Sequence, residues 1–242
     1  MFCHSRFSLC VGFTLLGTFG CTETVSSDEI RTGGIYMGTV VTAGTSQSKV
    51  KVTLKVGGNE SNTYVKLTDR DQLFAIADGD EKEMTKVSDG VYEASFEVVE
   101  EDAEFAVHLE REDDDDATGN EGTLPAPFMI TSALDDGPYS RADDDLEITW
   151  DPSDSGDDMQ LEVEDEDTCI TASESFDPSG DDGSYLIEAG ELASANSDDE
   201  EDVCEIQINV IREREGTIDG NLDGESTFFL RQVRSTTADS AP

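Results

Sequence analysis

From Lys49 to Val56 the chain reads KVKVTLKV, so Val50, Val52, Leu54 and Val56 alternate strictly with Lys49, Lys51, Thr53 and Lys55. A two-residue period sends successive side chains to opposite faces, which makes this segment a strand with one apolar and one polar side. The period returns at Tyr92, Ala94, Phe96 and Val98, and again at Phe105, Val107 and Leu109. Tyr64, Lys66 and Thr68 alternate with Val65 and Leu67, and Leu73 to Ala77 is apolar throughout. Gly57-Gly58-Asn59, Asp78-Gly79-Asp80 and Asp89-Gly90 punctuate these runs with turn chemistry. Beyond the amino-terminal leader, no segment keeps a helical period over three turns. Such a chain buries its apolar residues by stacking sheets. Three of the six lysines lie on the polar face of the 49–56 strand. There they either pair with acidic neighbours or guard an edge strand against aggregation.

Residues 112–123 (EDDDDATGNEGT) break the pattern with charge and glycine, and Pro125 and Pro127 follow. After Phe128-Met129-Ile130 a second polar stretch runs from Asp135 to Asp145. A boundary at roughly residues 130–143 fits these composition shifts. Strand patterning then restarts at Leu146, Ile148 and Trp150, at Met159, Leu161 and Val163, at 185–187, at 204–210 and at 228–233. The expected fold is all-β, with one β-sandwich over 35–134 and a second over 143–236.

The amino terminus carries Arg6, then a mostly apolar stretch from Phe7 to Phe19, then small residues before Cys21. That stretch is short for a membrane-spanning helix, which needs about 20 apolar residues, and it fits a signal peptide over 1–20. Thr18-Phe19-Gly20-Cys21 resembles a lipobox, the bacterial motif in which a small residue precedes a cysteine that receives diacylglycerol. The resemblance implies lipidation of Cys21 and a lipid-anchored place in the bacterial cell envelope, at the outer membrane or cell surface. Thr18 and Gly20 also suit ordinary signal peptidase, which would leave a plainly secreted chain, and a retained anchor is the third outcome. Residues 21–34 then serve as lipidated cysteine and flexible polar tether. Cys3 and Cys10 leave with the leader, so Cys169 and Cys204 remain as an even pair in an oxidising compartment. They read as one disulfide, with two buried free thiols as the alternative.

The spacing of the strands resembles tandem immunoglobulin-like β-sandwich modules of bacterial surface lipoproteins over most of 35–235. Arg212, Arg214, Arg231 and Arg234 flank Gly216 and the 219–225 loop in the manner of a closing hairpin. Trp150 precedes both cysteines, unlike the antibody arrangement. The resemblance implies no particular activity.

The charge narrows the partners. With 57 Asp and Glu against 15 Lys and Arg the chain stands at −42, a surface that repels nucleic acid and anionic head groups. Membrane contact is therefore expected through the lipid anchor only. Three roles suit the acidity: solvation in a salt-rich habitat, specific calcium binding, or docking of a basic protein partner. For calcium, Asp219, Asn221 and Asp223 follow the first half of a cation loop, with Glu225 placed to reach back, although Leu230 stands at the twelfth position. The bland reading is a hairpin loop rich in turn formers. Asp177, Ser179, Asp181 and Glu188 have similar spacing, but Asp182 takes the glycine position. Asp151, Asp154, Asp157 and Asp158 form a third oxygen-rich loop.

Catalysis finds little support. His4 leaves with the leader, and His108 alternates with Val107 and Leu109, so it faces outward with no triad partner. Asp154-Ser155-Gly156 spells the aspartic-protease tripeptide without its apolar strand or a second copy. Paired carboxylates for a glycosidase are trivially available among 57 acids, and Trp150 shares a face with Leu146 and Ile148, as a core residue would. The reading is a non-enzymatic acidic envelope lipoprotein with a structural or interaction role. The alternative is a calcium-dependent adhesion or glycan-binding module, and a carboxylate-based hydrolase comes third.

Overall fold

The computed structural model describes residues 23–134, 137–165, 169–195 and 203–242. The signal segment 1–20, Cys21 and Thr22 lie outside the described residues. In chain order the strands are β1 (Glu23–Ser26), β2 (Ile35–Ala43), β3 (Ser48–Val56), β4 (Thr63–Lys66), β5 (Gln72–Ala77) and β6 (Asp80–Glu83). Next come β7 (Thr85–Ser88), β8 (Val91–Phe96), β9 (Glu104–Glu110), β10 (Ala117–Thr123), β11 (Met129–Ile130) and β12 (Tyr139–Ser140). The last six are β13 (Leu146–Asp151), β14 (Asp158–Asp165), β15 (Glu174–Phe176), β16 (Ser184–Ile187), β17 (Cys204–Glu215) and β18 (Thr227–Ala241).

The fold is all-β, as the alternation requires, and it holds two β-sandwiches, each with its own core. Their arrangement is less ordinary. One eleven-stranded sheet runs β1-β4-β3-β2-β18-β17-β14-β15, with β7, β8 and β12 off that path. It forms a wall of both sandwiches. Against its first part packs the sheet β10-β9-β5-β6, and against its second part the sheet β11-β13-β16. The first core collects Val50, Val52, Leu54, Phe105, Val107 and Leu109, while the second collects Ile148, Trp150, Leu161 and Val163. The long hairpin β17–β18 serves both. Phe228 and Leu230 sit in the first core, whereas Ile206, Ile208, Val210 and Ala238 sit in the second. β18 achieves this by pairing in parallel with β2 over Thr227–Gln232 and antiparallel with β17 along its length.

Several features differ from the sequence expectations. Residues 23–34, read as flexible tether, are built into the body. β1 pairs in parallel with β4, and Ser27 and Thr32 are buried. The buried Arg111 guanidinium donates to the carbonyls of Ser27 and Ile30 and to the Thr32 hydroxyl, and pairs with Asp71 at 3.1 Å. Polar composition suggested a linker, but here the polar groups are satisfied inside the fold, which composition cannot reveal. Second, the lysine-bearing β3 is an interior strand between β2 and β8, so edge protection is not its role. Lys49 instead lies 3.5 Å from Glu93.

Third, the glycine-rich stretch 117–123 forms β10. Fully buried Asn120 carries its bulge, donating to the carbonyls of Val107 at 2.9 Å and Ala117 at 3.0 Å. Gly122 lets this strand approach the hairpin closely, since a Cβ there would lie 2.5 Å from the Leu230 side chain. The strand expected over 228–233 extends instead to Ala241. Backbone pairing to β17 sustains it where its side chains become small and polar.

Candidate functional site

The densest polar arrangement lies where the two cores meet on the hairpin. Arg212 and Gln232 are cross-strand partners, and both are fully buried. Gln232 donates to the Val99 carbonyl at 2.8 Å. Arg212 donates to the carbonyls of Ala126 at 2.8 Å and Pro152 at 2.6 Å, and pairs with Asp181 at 2.8 Å. Its guanidinium stands 4.9 Å from the centre of the Phe128 ring, with Arg234 at 5.4 Å from the same ring. Burial, and then the nearby Arg212 charge, push the Arg234 guanidinium below its usual range.

Asp181 is one of the residues expected to hold calcium. The structure places it in the interior, 6% exposed, where it accepts from Trp150 Nε1 at 2.6 Å and from the Ser155 amide and hydroxyl at 3.0 and 2.6 Å. Burial pushes its carboxyl up. The Ser155 hydroxyl, the Trp150 indole, the Ser155 amide and Arg212 outweigh that, and the group titrates below the ordinary Asp range. These donors explain why Asp154-Ser155-Gly156 exists: Ser155 caps a buried ion pair. Two residues on along β17, Arg214 bridges the halves. It grips Asp157 at 2.8 Å and 3.2 Å, and reaches Asp102 at 2.9 Å and the Thr123 hydroxyl at 2.8 Å.

The other cation candidates scatter. Asp177 opens the loop from β15 to β16 and Glu188 follows β16 at its far end, while the Phe176 and Tyr185 rings meet tilted, with centroids 5.6 Å apart. The Glu188 amide is capped by Glu191. In the 219–225 loop, Leu222 plugs the first core and so orients the turn. Asp219 accepts from the amides of Asn221 at 2.9 Å and Gly119 at 2.8 Å, and these bonds outweigh burial to hold its carboxyl below the usual range. Asp223 caps the Glu225 amide at 2.9 Å, and the Asn221 side chain donates to the Asp116 carbonyl at 2.8 Å. Asp219 and Asp223 are turned on nearby backbone, the arrangement of a turn-forming loop, while the Glu225 carboxylate lies against Gly58.

Beside this loop lies an open polar cleft of roughly 930 Å³, walled by Arg31, Arg111, Asp113, Asp114, Asp115 and Asn221. Asp114 is drawn below its usual range by the amides of Asp115 and Thr32. Its neighbour Asp113 pairs with Arg70.

Cys169 and Cys204 are joined as a disulfide with Cα atoms 6.3 Å apart. Arg141 Nη1 approaches Cys169 Sγ at 3.4 Å, and Asp165 accepts the amides of Cys169 and Ile170. Asp165 lies close to both sulfurs, but oxidised sulfur lacks the thiolate a metal would need. His108 is half-buried on β9 opposite Phe74. Among the described residues, every carboxyl group with a clear shift is held below its ordinary value. Such groups hold charge.

No protein-family model matches the chain, and no curated protein matches its sequence. Among solved structures it is similar to the FN1–FN3 domains of chicken CNTN1, at 9% identity and a TM-score of 0.26 over 84% of this chain and 64% of that one. A two-fibronectin-type-III-domain segment of chicken tenascin matches at 13% identity and a TM-score of 0.24, over 83% and 99% of the two chains. A bacterial 1.5-MDa ice-binding adhesin matches at 8% and 0.25, over 87% and 66%. This chain thus spans just under two thirds of the first and third of these. Likeness at this level says nothing of what the chain binds. Among the described residues, no helix is long and apolar enough to cross a membrane.

Proposed function

We propose that this chain is an exported, non-catalytic envelope protein, lipid-anchored through Cys21, whose two sandwiches act as one rigid acidic body in a structural or interaction role. The observation that carries the reading is the braced junction. A hairpin shared by both cores is locked by Arg212 and Arg214, which together reach Ala126, Pro152, Asp157, Asp181 and Asp102. Two modules on a hinge would not need buried ion pairs at the hinge. A spacer that must hold its partner surfaces at a set separation does. The −42 charge suits a salt-rich exterior, where counterions screen the mutual repulsion.

Two measurements test this. Small-angle scattering in salt should fit a single rigid conformation, and a curve that demands an ensemble of bent forms would refute the spacer role. In a lipoprotein-processing bacterium, an alkyne fatty acid should label the wild type, while Cys21→Ala should lose the label and leave the membrane fraction. Label retained by the variant would overturn the anchor.

A further inference from the structure

Every sandwich leaves sheet edges, and this chain blunts all but one of its longer ones. Among the described strands of more than two residues, β1, β6, β7, β10 and β15 lie at edges, and each carries at least one charged residue. β16 (Ser184–Ile187) ends the three-stranded sheet as Ser-Tyr-Leu-Ile, with no charge, no proline and no bulge in its pairing. Those are the devices that keep an edge from pairing. Trp150 N–H donates to the Gly183 carbonyl at 2.9 Å, and register sets Ile148 opposite Tyr185 and Leu146 opposite Ile187. Hydrogen-bonded pairs alternate along an antiparallel ladder, so the backbone groups of Tyr185 and Ile187 face β13. Ser184 and Leu186 turn their N–H and C=O groups the other way, where no described strand pairs. The Leu186 side chain stands on the outer face, 45% exposed.

The charge around this edge has one sign. From 142 to 211 the chain holds no lysine, arginine or histidine. Arg141, beside Ile187, and Arg212, paired with Asp181, are buried. Exposed Glu147 lies opposite Leu186 on the outer face, and exposed Asp182 and Glu188 stand near the two ends of β16. None of these three carboxylates has a partner among the described residues. Burial, and then the charges of Glu191, Glu188 and Asp177, push the Tyr185 phenol above its usual range. We propose that β16 takes an extended, basic segment of a partner protein as an added strand. Main-chain bonds to Ser184 and Leu186 supply the affinity, and Leu186 gives an apolar contact. Lysine or arginine at the ends of the segment meets Asp182 and Glu188. A second copy of this acidic chain is repelled by the same carboxylates, which guard the edge against self-pairing. The inference rests on the interaction role proposed above and gives it a place and a class of partner, independent of the lipid anchor.

The test uses residues 23–242, which hold every described strand and both cores, with amide hydrogen exchange read residue by residue at low salt. Because main-chain bonds carry the affinity, the probe is a plain capped peptide, KVTVTVK. At about ten times its dissociation constant it should slow exchange of the Ser184 and Leu186 amides about tenfold. The same peptide with its inner amides N-methylated keeps the charge and should protect neither, and EVTVTVE should not bind. On the protein side, Leu186→Pro removes a donor that β13 does not use, so the variant should keep its melting temperature and lose protection at Ser184. If that variant fails to fold, the methylated peptide decides alone. Equal effects of the two basic peptides mean charge attraction without strand addition and overturn the proposal, as does no protection at millimolar KVTVTVK. Protection that grows with protein concentration in the absence of peptide overturns it in favour of a second copy. The scattering and labelling tests above do not involve this edge, so failure here leaves the rigid-spacer reading standing.

Discussion

Replacing Arg212 with methionine should destabilise the junction by a predictable amount. The Arg212 side chain is fully buried and Asp181 nearly so, at 2.8 Å. Removing one partner of such a pair costs about 3–5 kcal/mol, because the other charge stays buried. Two effects soften this. Asp181 keeps the Trp150 and Ser155 donors, and Arg212 Nε has no hydrogen-bond partner in the wild type, so its loss leaves nothing unpaired. Methionine also fills the space above Phe128. The carbonyls of Ala126 and Pro152 lose donors in return. The expected loss is about 3 kcal/mol, which lowers the melting temperature by about 6–12 °C for a chain of this size.

Urea unfolding at neutral pH measures it, and Asp181→Asn with the double variant completes a cycle. The two single losses should exceed the double by at least about 1 kcal/mol. A pH series adds a sign. Asp181 has a depressed folded pKa, so its stabilisation is present above the unfolded value near 3.9 and lost as pH falls through the folded one. Without Arg212 that loss should begin at higher pH. An Arg212→Met chain within about 0.5 kcal/mol of the wild type, or strictly additive single variants, would refute the account of the junction.

The disulfide closes a separation of 35 residues, so Cys169→Ser with Cys204→Ser should cost about 4 kcal/mol in urea unfolding; a change under about 1 kcal/mol would show that the bridge barely constrains the unfolded chain. Because Asp219 and Asp223 are turned on nearby backbone amides, sodium and calcium chloride at matched ionic strength should raise the melting temperature equally. A saturable, chelator-sensitive rise with calcium alone would restore a cation site. Asp219→Ala should cost about 1–2 kcal/mol and speed exchange of the Gly119 amide, and an unchanged exchange rate would remove Asp219 from its capping role.

What could be read in advance depended on whether the information was local. Alternation along a strand is a local property, so the residues that became β3, β8, β9, β13, β14 and β17 were visible with their inward faces. Trp150 was recognisable as core by its phase with Leu146 and Ile148, and it is 3% exposed. The cysteine pair followed from counting. β1 and β10 were missed because nothing in ETVS or ATGNEGT is apolar enough to signal burial. Arg111, which holds Ser27, Ile30 and Thr32, and Asn120, which holds the bulge, make strands of them from across the fold. The signals were present in hindsight. An arginine heading an acidic run and a lone asparagine between glycines are residues with more hydrogen-bonding capacity than a loop requires.

The sequence by itself determined the all-β class, the inward residues of each long strand and the overall charge, because pleat period and ionisation are properties of the chain alone. Only the tertiary structure decided that one sheet walls both cores and that Arg212 and Asp181 meet 31 residues apart at a buried junction. Those are matters of strand order and register. Backbone hydrogen bonds pair any strand with any other, so partners are chosen by which assembly leaves the fewest buried charges unpaired and the fewest apolar faces wet.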